Sequence, residues 1–223
     1  MANTFDLQEQ EQLDDLKAFW KKYGNLVTWV VTICLLAYAG WNAWGWYQRD
    51  QAVKASAMFE ELDKAADAGD ADRVGRIFND MKERFAGATL TQQAGLLAAR
   101  VQYDKGQADA AQASLGWVAE HADDEYRTVA RLRLAGVLLD AKQYDAALKA
   151  LDAAKAKEFA ALVADRRGDV LLAQGKKDDA RSAYQAAYKA MDEKLDYRRL
   201  IEAKLTALAA PPAPAASSPG AAK

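Results

Sequence analysis

One histidine, His121, and one cysteine, Cys34, are all the imidazole and thiol in this 223-residue chain. Structural zinc sites ordinarily use four Cys or His ligands, so that chemistry lacks its donors. A lone thiol forms no intrachain disulfide and leaves the redox compartment open. His121 follows Glu120 at the expected end of a helix, where a cationic ring meets the negative end of the helix dipole. Asp123-Asp124-Glu125 places three acids in a loop ahead of the next helix, which reads as N-terminal capping rather than a cation site. A glycine-rich phosphate loop and a Ser/His/Asp arrangement have no candidates. We therefore expect no metal, no cofactor and no catalysis, and look for surfaces that bind.

The elements that would position such surfaces begin with a span. From Gly24 to Gln48 no residue is charged, and a helix rising about 1.5 Å per residue needs roughly 20 apolar residues to cross a hydrocarbon core. Trp20, Tyr23 and Trp29 mark one end, and Trp41, Trp44, Trp46 and Tyr47 the other, as amphipathic rings do at headgroup layers. Ala37-Tyr38-Ala39 and Ala55-Ser56-Ala57 have the small-x-small form of a signal-peptidase site. A signal peptide, however, opens on a basic segment, whereas Asp6, Glu9, Glu11, Asp14 and Asp15 precede this run, so the segment reads as an uncleaved anchor. Lys17, Lys21 and Lys22 before the span outweigh Arg49 and Lys54 after it, which keeps the N-terminus cytoplasmic. Within the span, Asn42 and the small pair Ala39 and Ala43 are candidates for contact with a partner helix.

The formal charge of −2 is carried by residues 1–22; from residue 49 onward acids and bases balance. No basic stripe is left to meet phosphates, so nucleic acid is not an expected partner. All four prolines, Pro211, Pro212, Pro214 and Pro219, fall in the last thirteen residues, which leaves everything from Gln51 to Ala209 free to be helical. The Pro/Ala/Ser ending has too little apolar surface to offset its ordering entropy and is expected to be disordered.

Self-similarity appears when turns are aligned. Asp104-Lys105-Gly106-Gln107, Asp140-Ala141-Lys142-Gln143 and Ala173-Gln174-Gly175-Lys176 superimpose, with a fainter turn at Ala68-Gly69-Asp70. A small residue follows early in each second helix of the three clear units: Ala111, Ala147 and Ala180. Gly106 and Gly175 suit the left-handed conformation that ends a first helix, while Lys142 manages without that relief. Turn, spacing and pattern resemble the tetratricopeptide repeat, with a period of about 34; a generic antiparallel bundle is the alternative. The expected fold is all-α, a single N-terminal transmembrane helix followed by a tetratricopeptide-like helical-hairpin solenoid. Its parts are a cytoplasmic amphipathic segment (1–23), the span (24–48), a periplasmic repeat domain (49–209) and a disordered tail (210–223).

The acidic amphipathic start with Leu13, Leu16, Phe19 and Trp20, the passage Lys21-Lys22-Tyr23-Gly24-Asn25, the span ending Gly40-Trp41-Asn42-Ala43-Trp44 and the stretch VADRRGDVLLAQGKKDDARSAY (163–184) together resemble the YfgM family. That resemblance covers about residues 10–208. It implies an ancillary subunit of the bacterial SecYEG translocon in the inner membrane. The implied role is to help pass translocated, unfolded client polypeptides to periplasmic chaperones, alongside a membrane-anchored periplasmic peptidyl-prolyl isomerase. The rival reading is a membrane-tethered scaffold for another envelope complex, whose groove would take one defined partner rather than many unfolded chains.

In such repeats the first helix of each pair lines the concave surface. Helix 128–141 carries two apolar stripes, one of Ala130, Leu134, Val137, Leu138 and Ala141, the other of Leu132, Ala135, Gly136 and Leu139. One can pack inward while the other faces the groove. Mapped on the repeat's groove positions, the expected lining is Leu96, Arg100, Tyr103, Leu132, Gly136, Leu139, Leu162, Asp165, Asp169 and Leu172; the alternative is that the same leucines pack against the second helix or the terminal helix 195–208, or that the register is off by one. Leucines and Tyr103 would suit extended apolar segments, with Arg100 and the aspartates adding polar selection.

Overall fold

A computed structural model describes residues 4–208. With every proline beyond residue 210, no described segment meets a helix breaker of that kind, and all nine long elements among the described residues are α-helices: α1 Thr4–Asp67, α2 Ala71–Phe85, α3 Thr89–Asp104, α4 Ala108–His121, α5 Asp124–Asp140, α6 Tyr144–Asp152, α7 Ala160–Ala173, α8 Lys177–Ala190 and α9 Tyr197–Ala207. A single 3-10 turn, Lys157–Phe159, precedes α7. The proline-rich tail lies outside the described residues.

The chain divides into two units, Met1–Val53 and Lys54–Lys223. In the first, α1 supplies the one helix among the described residues long and apolar enough to cross a membrane. Leu26, Trp29, Ile33, Leu36, Tyr38 and Trp41 on it are all exposed, an apolar surface that water would not tolerate but lipid would. Its polar side chains are partly self-satisfied: Thr28 Oγ1 donates to Gly24 O and Thr32 Oγ1 to Thr28 O, each at 2.7 Å. Hydroxyls bonded to their own helix remove a cost that hydrocarbon would otherwise impose. Ala39, Asn42 and Ala43 are exposed on one face of this helix.

In the second unit, four hairpins repeat one local device. The first helix of each ends on a left-handed residue: Gly69 (φ 66°), Gly106 (φ 78°), Lys142 (φ 58°) and Gly175 (φ 80°). The amide of each reaches back three residues, to Ala66, Tyr103, Leu139 and Leu172, and the next amide reaches back five, to Ala65, Gln102, Leu138 and Leu171, all between 2.8 and 3.0 Å. This Schellman pairing satisfies carbonyls that a helix end would otherwise orphan. Five residues after each turn stand Val74, Ala111, Ala147 and Ala180, all fully buried, and nine after it Phe78, Leu115, Leu151 and Tyr184, each no more than 2% exposed. The fainter first unit thus obeys the same register as the other three.

Three apolar clusters hold the repeats together. One joins Leu62 and Ala65 of α1 to Val74 and Phe78 of α2, Ala94 and Ala98 of α3 and Leu115 and Val118 of α4. A second joins α5, α6 and α7 through Ala135, Leu138, Leu151 and Val170, and a third joins α7, α8 and α9 through Tyr184, Ile201 and Leu205. The first helices α3, α5 and α7 touch in series as well as packing on their own partners. Ala135, expected to share the groove-facing stripe of α5, is instead fully buried. It stands seven residues ahead of its turn, where a first helix meets its second helix, as Gly168 does in the last repeat.

Candidate protein-binding groove

Because the turns are in register, side chains at a fixed distance before them form rows across α3, α5 and α7. Three residues ahead of each turn stand Tyr103, Leu139 and Leu172. Tyr103 is 40% and Leu172 38% exposed, and Leu139 is half-buried against the α5–α6–α7 core. Tyr103 Oη donates to Asp140 at the end of α5, which ties neighbouring first helices together and pushes the phenol pKa up, the hydrogen bond to Asp140 outweighing desolvation. Six residues ahead stand Arg100, Gly136 and Asp169. Arg100 is exposed, with Asp104 Oδ2 at 3.8 Å, and Gly136 leaves room below Arg166, whose Nη1 would lie 3.7 Å from an added Cβ.

The row ten residues ahead behaves differently. Leu132 is half-buried, but Leu96 is only 9% exposed and belongs to the first core cluster, while Arg133 of α5 reaches across to donate to its carbonyl at 3.3 Å. Asp165 is 2% exposed. It accepts from Tyr197 Oη at 2.8 Å and from Lys204 Nζ at 2.8 and 2.9 Å, both on α9. Asp169 accepts from Tyr184 Oη at 2.8 Å and Lys204 Nζ at 2.7 Å. The two aspartates, read from sequence as polar selectors in the groove, are therefore occupied by the terminal helix. A buried carboxylate is tolerated only with such partners, and α9 covers α7 where a further first helix would lie. Leu162 packs half-buried on the same α7–α8–α9 core. Burial, and then the bond to Asp165, push the Tyr197 phenol up to about 12.

What remains open is a strip of Tyr103, Leu139 and Leu172 with Leu132, Arg100 and Gly136 beside it. Arg133 and Arg166 flank it, and Asp140 closes the bond to Tyr103. None of these three was singled out from sequence, although Arg133 and Arg166 stand at equal distance before their turns and the turn alignment would have paired them. Lys204 and Tyr197 follow Asp165 by 39 and 32 residues, a repeat-period spacing that also marks α9 as the next layer.

The residues considered for chemistry serve the scaffold. His121 ends α4, stacks on Trp117 at 4.9 Å between ring centres and places Nδ1 2.9 Å from the Trp117 carbonyl. Asp123 is the N-cap residue of α5 but its side chain does not bond the helix amides; it accepts from Gln92 Nε2 of α3 at 3.1 Å. Asp124 and Glu125 in the first turn still complement the helix dipole.

Residues 17–210 match the tetratricopeptide repeat-like domain family. The chain is 31% identical over 204 residues to the ancillary SecYEG translocon subunit of Neisseria gonorrhoeae, covering 91% of this chain and 98% of that protein. The chain belongs to the YfgM family. The Escherichia coli protein of the same name is 35% identical over 185 residues, 81% of this chain and 87% of that one. That of Haemophilus influenzae is 26% identical over 189 residues, 82% and 90% of the two chains. The family match, from residue 17 to residue 210, takes in the apolar N-terminal helix as well as the hairpins.

Proposed function

We propose that this chain is an ancillary subunit of the Sec translocon, held in the bacterial inner membrane by residues 24–48. Residues 1–23 lie in the cytoplasm, and the repeat domain, residues 49–209, lies in the periplasm. The names of its relatives support the translocon association, and Lys17, Lys21 and Lys22 against Arg49 and Lys54 support the orientation. In this role the open strip on α3, α5 and α7 holds extended segments of translocated polypeptide and passes them to periplasmic chaperones, alongside a membrane-anchored peptidyl-prolyl isomerase.

The observation that carries the reading is the row Tyr103, Leu139 and Leu172, three side chains in register on adjacent first helices, with Tyr103 and Leu172 exposed and Leu139 half-buried between them. A few partly exposed contacts give weak, rapidly reversed binding, which suits a transfer step that consumes no nucleotide. The span then supplies localisation and translocon contact. Tyr103→Ser combined with Leu172→Ser tests this, because both side chains are exposed and their loss leaves the core intact, whereas serine at Leu139 would open the α5–α6–α7 cluster. The double variant should lose capture of unfolded polypeptide and still co-purify with translocon subunits. Undiminished capture by the folded variant would remove the groove from the account.

A further inference from the structure

One repeat departs from its sisters. The second helices α2, α4 and α8 run 15, 14 and 14 residues, but α6 stops after 9, at Asp152. Twelve residues after the turn, Met81, Val118 and Ala187 are buried on their helices, whereas the equivalent Ala154 lies past the end of α6 and is half-buried. The chain instead passes through Ala153–Ala156 and the 3-10 turn. The missing length of helix leaves a crevice of about 440 Å³ between this passage and the first two turns of α5, lined by Arg127, Arg131, Lys149 and Lys155 with Asp152. It continues into a more enclosed lobe of about 170 Å³ past Thr128 and Ala156.

The charge in this crevice is not balanced. Asp152 is taken by Arg167 from α7 and Asp124 by Arg127. Among the described residues no carboxylate lies within ion-pair distance of Lys149 or Lys155. The two arginines are held in place by helix ends: Arg127 donates to Ala122 O at 2.8 Å, and Arg131 to Ala119 O at 3.0 Å and to Ala153 O. Burial, and next the neighbouring Arg127, lower the Arg131 guanidinium's pKa. Elsewhere beyond the span the chain's charges nearly cancel, so this concentration is local.

We propose that the crevice left by the shortened α6 binds an acidic segment of a polypeptide partner, whose carboxylates face the anchored Arg127 and Arg131 and the exposed Lys149 and Lys155. A spread of carboxylates fits better than a single phosphate. A phosphate site converges free N–H forks on one point, and here the terminal nitrogens of both guanidinium groups are already engaged with backbone carbonyls and Asp124. They contribute a fixed positive field, and the two lysines on flexible stems follow an extended anionic chain. The site is separate from the Tyr103–Leu172 strip and does not depend on it.

The test uses the full-length protein in non-ionic detergent micelles and a rhodamine-labelled deca-glutamate peptide, read by fluorescence anisotropy. Lys149→Glu with Lys155→Glu should weaken binding about tenfold or more, and binding to the wild type should fall steeply with salt. Lys176→Glu with Lys177→Glu, an equal reversal at an exposed turn away from the crevice, should leave affinity within about twofold. Equal loss in both variants, or no binding by the wild type, would overturn the proposal. Displacement of the peptide by inorganic phosphate at constant ionic strength would overturn it in favour of a point oxyanion site. Should the reversal loosen the fold by circular dichroism, Lys149→Ala with Lys155→Ala must still weaken binding and flatten the salt dependence.

Discussion

Gly168 and Tyr184 give the sharpest handle on how the last repeat closes. A Cβ at Gly168 would sit 2.4 Å from Tyr184 Cε1, 2.5 Å from Cδ1 and 2.9 Å from Cζ. The ring has no free direction to yield: it is 1% exposed, its hydroxyl is tied to Asp169 at 2.8 Å, and Asp169 is tied to Lys204 at 2.7 Å. Overpacking a closed core costs about 1–3 kcal/mol, and three sub-contact distances on one pinned ring place Gly168→Ala at the upper end. Replacing a mid-helix glycine by alanine returns about 1 kcal/mol. The net expectation is about 2 kcal/mol of destabilisation. Gly136→Ala on α5 is the internal control, since its Cβ would meet nothing closer than Arg166 Nη1 at 3.7 Å; it should stabilise by up to about 1 kcal/mol. The two middle hairpins show the compensating pair, Ala99 with Leu115 and Ala135 with Leu151. Gly168→Ala with Tyr184→Leu should therefore cost less than the sum of its single changes by about 1 kcal/mol or more. Urea titration of each variant, followed by far-UV circular dichroism, gives all four values. Gly168→Ala as stable as Gly136→Ala, or strict additivity of the double variant, would refute the packing argument.

Lys142 is the only described non-glycine residue in the left-handed region, so Lys142→Gly should raise stability by about 0.5–1 kcal/mol, the relief of the left-handed strain less the added entropy of the unfolded chain; an unchanged or lower denaturation midpoint would mean that Lys142 is unstrained there. The Tyr197 phenol, raised to about 12, keeps its proton in the folded state where an unfolded tyrosine, at about 10, loses it. Its contribution is complete below pH 10 and is lost as pH rises from about 10 to 12, so Tyr197→Phe should flatten that part of an alkaline stability profile, and an identical profile would contradict the assignment. Protease added to spheroplasts should digest the repeat domain; survival until the inner membrane is broken would reverse the proposed orientation.

The repeat was legible because its signals are local. Gly69, Gly106 and Gly175 take a conformation that glycine favours, and the small or apolar residues five and nine positions later set the register that burial follows. What was not legible depends on contacts between distant segments. Nothing around Asp165 or Leu96 decides that α9 takes the one and the first core cluster the other, since groove-facing and core-facing positions of a first helix are adjacent in sequence and both accept leucine. The end of α6 was equally silent. Ala153-Ala154-Lys155-Ala156 contains good helix formers and neither glycine nor proline. The helix stops where Arg131 takes the Ala153 carbonyl and Thr128 Oγ1 accepts from the Ala156 amide at 3.4 Å. Tertiary partners there outweigh intrinsic propensity, which no window of the sequence contains.

Site-specific photo-crosslinking in intact cells tests the central claim most directly. A photoreactive residue placed at Leu172, in the exposed strip on α7, is compared with one at Lys189, exposed on the second helix α8, while a secretory polypeptide is being exported. The account predicts adducts with the translocating chain at Leu172, lost when export is blocked, and few or none at Lys189. Equal adducts at both positions, or none at Leu172 while translocon subunits still co-purify, would contradict it.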